Sequence, residues 1–219
     1  VTVEGPVEDS MKLSLENLKQ GMKWWQQKSG WPGDYLNDEY YKIYQDCAGG
    51  LTEQWLTVTV DRLAKWSATR SSKPGNTKAK FLVLLKAKLP NFRTEYQRIL
   101  DLQEIEPSIN TVSWQDIDTL YRMMATTKNG SPVFASKLGH FMFPNVFIVM
   151  DNRATGVMTY DYYWQGIVNE WRLFADKTIA INLLKTEIGK KASQTSHDYY
   201  PYETKIMELC QVGEKWKTN

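Results

Sequence analysis

The sequence predicts an all-α fold of roughly ten helices. Two observations carry this. Apolar residues recur at three- and four-residue steps along almost the whole chain, and Gly, Pro and Ser clusters punctuate them at helix-length intervals. The stretch that alternates most like a strand, "LTVTV" at 56–60, has no companion strands. No internal repeat, heptad array or low-complexity tail is present.

The elements follow in order. In "EDSMKLSLENLKQGMKWWQQKSG", Met11, Leu15, Leu18, Met22 and Trp25 share one helix face, which ends at Gly30 and Pro32. "GDYLNDEYYKIYQDCAGG" repeats the pattern with Leu36, Tyr40, Ile43 and Cys47 and stops at a Gly pair. "TEQWLTVTVDRLAKWSATR" reads both ways, although Leu56, Val60, Leu63 and Ala64 fit a helix. "SSKPGN" is a loop, "TKAKFLVLLKAKL" a short buried helix, and Pro90 opens another helix, "NFRTEYQRILDLQ". Ser113 with Asp116 three residues on predicts a capping box for "SWQDIDTLYRMMATT". Ser131 and Pro132 suit N-cap and N1 of a helix through "VFASKLGHFM", closed by Pro144. "DYYWQGIVNEWRLFA", "KTIAINLLKTEIGKK" and "SHDYYPYETKIMELCQV" supply the remaining helical patterns, the last read mainly as packing through Tyr199, Tyr202, Ile206 and Leu209.

Composition narrows the function classes. The 219 residues suffice for one domain, or two packed subdomains, with a real core. Two Cys and two His make a Cys/His zinc site improbable, and nothing demands oxidising conditions, though one disulfide stays open. No apolar run spans a membrane and no signal peptide is evident, so a cytoplasmic location is expected. Nine Trp and twelve Tyr make a high aromatic load; some of these rings are core, and an excess also suits stacking on flat ligands such as bases. Net charge is +2, but residues 62–93 carry nine Lys/Arg and no acid, Arg70, Lys73 and Lys78 among them. That stretch is either a phosphate-binding surface or a solvated face with acids nearby in space.

Residues 114–142 read as helix, short hairpin and helix, with Gly130 in the hairpin. Such a hairpin aims backbone N–H groups and a helix N-terminus at a phosphate, to which Lys128 adds charge. A short apolar run, "FIVM", then leads to Asp151. Asp151 either caps the helix beginning at "NRATGVM" or is a carboxylate on which a reaction depends.

In its hairpin, following helix, apolar run and spacing to the aspartate, the sequence resembles the helix-hairpin-helix (HhH-GPD) DNA glycosylase superfamily. With Gly130 on the family's hairpin, Ala135 falls on its small residue and "VFIVMD" on its apolar run ending in aspartate. The motif covers about 30 residues; length and helical layout extend the likeness loosely to the rest. The resemblance implies two subdomains, 50–150 with the helix-hairpin-helix at 114–143, and 1–49 plus 151–219, with the active-site cleft between them. It implies that Asp151 stabilises oxocarbenium character at the sugar and orients water at C1′. The position of the family's Schiff-base lysine is Val133, so a monofunctional enzyme leaving an abasic site is expected. No cofactor is implied, with a monovalent cation at the hairpin as the one ion the likeness admits. The implied partner is double-stranded DNA carrying a modified base, bound by a monomer. Antiphage members that excise glucosylated hydroxymethylcytosine are the narrower likeness; a non-catalytic DNA-binding or interaction module is the alternative.

Further residues are candidates on position. Lys137, one turn after Val133, faces base, phosphate or sugar, and His140 follows on the same helix. Trp25, Tyr162 and Trp164 are candidate stacking rings for an extruded base. Lys128, Asn129, Gly130, Ser131 and Arg153, with Arg70, Lys73 and Lys78, are the candidate DNA contacts.

Overall fold

Helices form where the apolar spacing places them. The computed structural model describes residues 12–28, 33–70, 73, 75–102, 105–151, 159–189 and 194–216. These form α1 (Leu15–Lys28), α2 (Gly33–Ala48), α3 (Glu53–Lys65), α4 (Lys78–Asp101), α5 (Trp114–Ala125), a 3-10 turn (Thr126–Lys128) and α6 (Pro132–His140). After them come α7 (Tyr160–Leu173), α8 (Lys177–Gly189), α9 (Gln194–Tyr199) and α10 (Tyr202–Trp216). Among the described residues there is no strand.

Caps fix several starts. Thr52 accepts from the Trp55 N–H and Thr77 from the Lys80 N–H. The Ser113–Asp116 capping box is formed, with the Ser113 N–H donating to Asp116 Oδ2 at 2.7 Å. Ser131 caps α6 with Pro132 in its first turn. The ambiguous "LTVTV" lies inside α3, because Trp55, Leu56, Thr59, Val60 and Leu63 share one buried face. A strand would turn half of them to water.

Three expectations are corrected. Pro90 opens no helix; it lies within α4. Proline removes one helical hydrogen bond, but the buried stripe Phe81, Leu85, Leu89, Phe92, Tyr96 and Ile99 runs unbroken past it and holds both halves to the same core. The α6 helix stops at His140, where Gly139 O accepts from both Met142 N–H and Phe143 N–H before Pro144 is reached. The final pattern is two helices, α9 and α10, separated at Pro201.

The α1–α10 pair is the most extensive helix contact. It is close because glycines face backbone. A Cβ on Gly21 would stand 2.0 Å from Leu209 O, and one on Gly213 1.8 Å from Asn17 O. Both cysteines are buried free thiols, so no disulfide links them.

Candidate active site

Residues 146–150 leave a turn at Val146 and run on without helix or strand, all five buried, and no strand pairs with them among the described residues. A buried carbonyl without a hydrogen bond costs about 1–3 kcal/mol, and side chains fill the gap one carbonyl at a time. Trp164 Nε1 donates to Val146 O (2.8 Å), His140 Nδ1 to Phe147 O (2.7 Å), Tyr160 OH to Ile148 O (2.8 Å) and Tyr163 OH to Val149 O (3.1 Å). The Met150 N–H then donates to Ser136 Oγ at 3.1 Å. Tyr160, Tyr163 and Trp164 stand three and four residues apart, so one face of α7 supplies three donors. The segment is thereby fixed from both sides and delivers Asp151, which is exposed, at its end. The helix that Asp151 was expected to precede falls within 152–158, outside the described residues, as does Arg153.

Lys137 lies in the field of Asp151. It is half-buried on α6, with Nζ donating to Trp66 O at 2.9 Å and lying 4.9 Å from the Trp66 ring centroid. Burial pushes its ammonium down to about 8; Glu208 and Asp151 oppose that shift, while Lys205 and Lys128 reinforce it. Lys205 and Glu208 form an ion pair on α10, 1% and 8% exposed, and Lys205 Nζ also lies over Trp66 (5.2 Å) and Trp25 (5.5 Å). Tyr40, Tyr163 and Tyr200 lie in the field of Glu208, and burial first, then its charge among the neighbours, pushes these phenols well above their usual range. Asp151, Lys137, Trp25, Trp66, Lys205 and Glu208 thus form one charged, aromatic-lined constellation.

The hairpin is tightly wound. Asn129 (φ 49°) and Gly130 (φ 73°) are consecutive left-handed residues, the second suited to glycine. The Gly130 N–H is held by Ala125 O and the Ser131 N–H by Lys128 O, both at 2.9 Å. These two donors, expected to face a phosphate, close the turn instead. Lys128 Nζ donates to Ala68 O and lies 5.6 Å from the Phe81 and Phe134 ring centroids. Burial lowers its ammonium, and so do the charges of Arg70 and Lys73 beside it. Asn129, Arg70 and Lys73 are exposed.

Three further candidates are placed elsewhere. His140 is wholly buried; because Phe147 O can only accept, its Nδ1 carries the proton and its Nε2 accepts from Tyr40 OH at 2.6 Å. It packs and holds the Phe147 carbonyl rather than facing a ligand. Trp164 is likewise core, and Tyr162, exposed on α7, points away from the buried face that carries Tyr163. Trp25 does join the constellation, through Lys205.

The acid-free stretch is partly neutralised across the fold. Arg62 pairs with Glu39 and Asp46, Lys78 with Asp61, and Lys86 with Glu53. Lys88 donates to Met123 O and Arg93 to Leu51 O. The reading of a solvated face with acids nearby therefore holds for Lys78, while Arg70 and Lys73 stay beside Lys128.

Sequence reasoning missed Trp66, Tyr200, Lys205 and Glu208. A signal existed for the last two, a Lys and a Glu three residues apart inside the apolar run "KIMELC". A cavity of about 460 Å³ lies apart from this constellation, between Tyr44, Cys47, Tyr96, Ile105 and Phe143. Its thiol, Cys47, is pushed up to about 11 by burial, which makes it a poor nucleophile. Among the described residues no His/Cys/Asp/Glu group suits a metal ion, and no helix is long and apolar enough to cross a membrane. No protein-family model, curated protein or solved structure matches the chain.

Proposed function

We propose that this protein is a monofunctional DNA glycosylase of the helix-hairpin-helix kind, which hydrolyses the N-glycosidic bond of a modified base in double-stranded DNA. The observation that carries the proposal is an exposed Asp151 at the end of a segment whose carbonyls are fixed one by one, within the field of a half-buried lysine. Preorganised charge at the point where charge develops is the largest single contributor to many rate enhancements. The damaged nucleotide is extruded, because its C1′ is out of reach inside a duplex. The C1′–N bond breaks with its electron pair leaving on the base. The Lys137 ammonium gives that base a proton. Asp151 stabilises the sugar cation, orients a water onto C1′ and accepts the proton the water loses.

Val133 cannot form an imine with the sugar, so the product is an abasic site. Arg70 and Lys73, exposed near the hairpin, supply phosphate attraction. The cleft lies between the 50–150 subdomain and the terminal helices, and the chain acts as a monomer in the cytoplasm. Excision of glucosylated hydroxymethylcytosine in antiphage defence is the narrower form of this reading.

The test is to incubate the protein with duplex DNAs carrying different natural base modifications and count abasic sites by alkaline cleavage. Asp151→Asn is expected to reduce base release at least about 100-fold and to leave DNA binding intact, since phosphate contacts do not use a carboxylate. Undiminished release by that variant would refute the mechanism; binding without release by the wild-type protein would favour a non-catalytic module.

A further inference from the structure

We propose that Glu208 is the positioning carboxylate of this site: paired with Lys205 against Trp66, it holds Lys137 in the ammonium form that hands a proton to the departing base. The inference rests on the glycosylase reading of Lys137.

The argument begins with where α10 puts its charges. Ile206, Met207, Leu209 and Cys210 around them are buried, and so are Lys205 and Glu208 themselves. Burying an ion pair is costly, and replacing one by well-packed apolar residues is often neutral or stabilising. Stability alone therefore does not account for a Lys and a Glu at these two positions. Trp66 links them to the site. Its ring carries the Lys205 ammonium at 5.2 Å and the Lys137 ammonium at 4.9 Å. Two cations on one ring repel each other, and an anion nearby offsets the repulsion.

Among the described residues, the charges that act on Lys137 are Glu208 from α10, Asp151 from the end of the clamped segment, Lys205 from α10 and Lys128 from the hairpin. Glu208 outranks Asp151 as the group favouring the ammonium. The two differ in availability. Once the sugar cation forms, the Asp151 charge is directed at C1′, and Glu208 is the remaining anion of the set. The phenols of Tyr40, Tyr163 and Tyr200, raised far above neutrality, keep their protons and leave the charge balance to Glu208. The Tyr200 hydroxyl is buried and makes no hydrogen bond among the described residues.

The proton is accounted for at each step. Lys137 Nζ loses one to the base as the C1′–N bond breaks, water adds at C1′ and gives one to Asp151, and the amine is recharged from solvent. Base release should therefore fall as pH rises through the titration of Lys137.

The experiment titrates Lys137 directly, by NMR of protein carrying ¹³C-labelled lysine, beside the pH profile of base release. Wild type, Glu208→Gln and the double variant Lys205→Met/Glu208→Leu are compared; the double variant leaves no buried unpaired charge and serves if the single one unfolds. In Glu208→Gln the Lys137 midpoint is expected to fall by about one unit or more; in the double variant, which also removes the opposing Lys205 charge, it falls by less, and in each the alkaline limb of base release falls with it. A one-unit shift makes release at pH 8 about fivefold slower, a loss that shrinks towards pH 6. An unmoved Lys137 midpoint overturns the inference, whether or not base is released. A midpoint that moves while the alkaline limb stays also overturns it. A wild-type protein that releases no base sinks the glycosylase reading and this role with it, and the titration shows separately whether Glu208 governs Lys137.

Discussion

Lowering the pH from 6.5 to 4.5 is expected to destabilise the fold through His140. The imidazole is wholly buried, donates from Nδ1 to Phe147 O and accepts at Nε2 from Tyr40 OH. Burial first, and then the charge of Lys205, push its pKa down to about 3, against the hydrogen bond to Phe147. An unfolded chain returns it to about 6.5. Between those values the unfolded state binds a proton that the folded state does not, so stability falls as pH falls. The contribution is fully present above the unfolded value and is lost progressively down to about 3. The slope approaches about 1.36 kcal/mol per unit only below 6.5, where half the unfolded imidazole is already protonated, so the two units cost about 2.3 kcal/mol, or roughly 5–9 °C in Tm for a chain of this size. Glu39, its carboxyl lowered against burial by Lys42 and Arg62, acts in the same direction and must be subtracted. Urea unfolding at pH 6.5, 5.5 and 4.5 should therefore be run on wild type and His140→Gln. The variant is expected to be less stable throughout, with a pH dependence shallower by about 1 kcal/mol between pH 6.5 and 5.5 and about 1.3 kcal/mol between 5.5 and 4.5. Parallel pH dependences would refute the assignment of His140 as a buried neutral donor.

Other perturbations have equally definite outcomes. Tyr163→Phe strands Val149 O and is expected to cost about 1–3 kcal/mol in denaturant unfolding, with base release falling as Asp151 loses its anchor. Gly213→Ala drives a methyl into Asn17 O and is expected to cost at least about 2–3 kcal/mol, while Gly75→Ala, strained at φ +77° but unobstructed, costs less. Borohydride treatment during turnover is expected to trap no enzyme–DNA adduct, because Val133 carries no amine; a trapped adduct, detected by mass, would identify another amine as the nucleophile.

The local content of the sequence was legible and the long-range content was not. The Ser113–Asp116 box, the Ser131–Pro132 start and the buried faces of α1 to α8 are written in spacings of three and four, which one helix fixes by itself. Asp151 was legible as the end of an apolar run because a polar residue after five buried ones marks an exit to solvent. What "DYYW" does was not legible. Its rings suited a base, yet Tyr163 and Trp164 hold carbonyls fourteen and eighteen residues away, a pairing that periodicity does not encode. The two readings of the basic stretch could not be separated for the same reason, since the carboxylates on Lys78 and Lys86 come from another helix. Pro90 misled because a proline's local preference is weaker than a continuous buried stripe.

The clamped segment also has a cost during biosynthesis. Val146 to Met150 are five uncharged residues of high β-propensity without proline, the composition that seeds intermolecular sheets. Folded, four successive carbonyls are occupied by side chains, so no foreign strand can dock on them. Three of those four donors lie on α7, downstream of the segment, and are synthesised after it. Until α7 folds back, the chain carries a bare aggregation seed. Loss of the Tyr160, Tyr163 or Trp164 donors should therefore show first as insoluble protein, before any change in catalysis is measured.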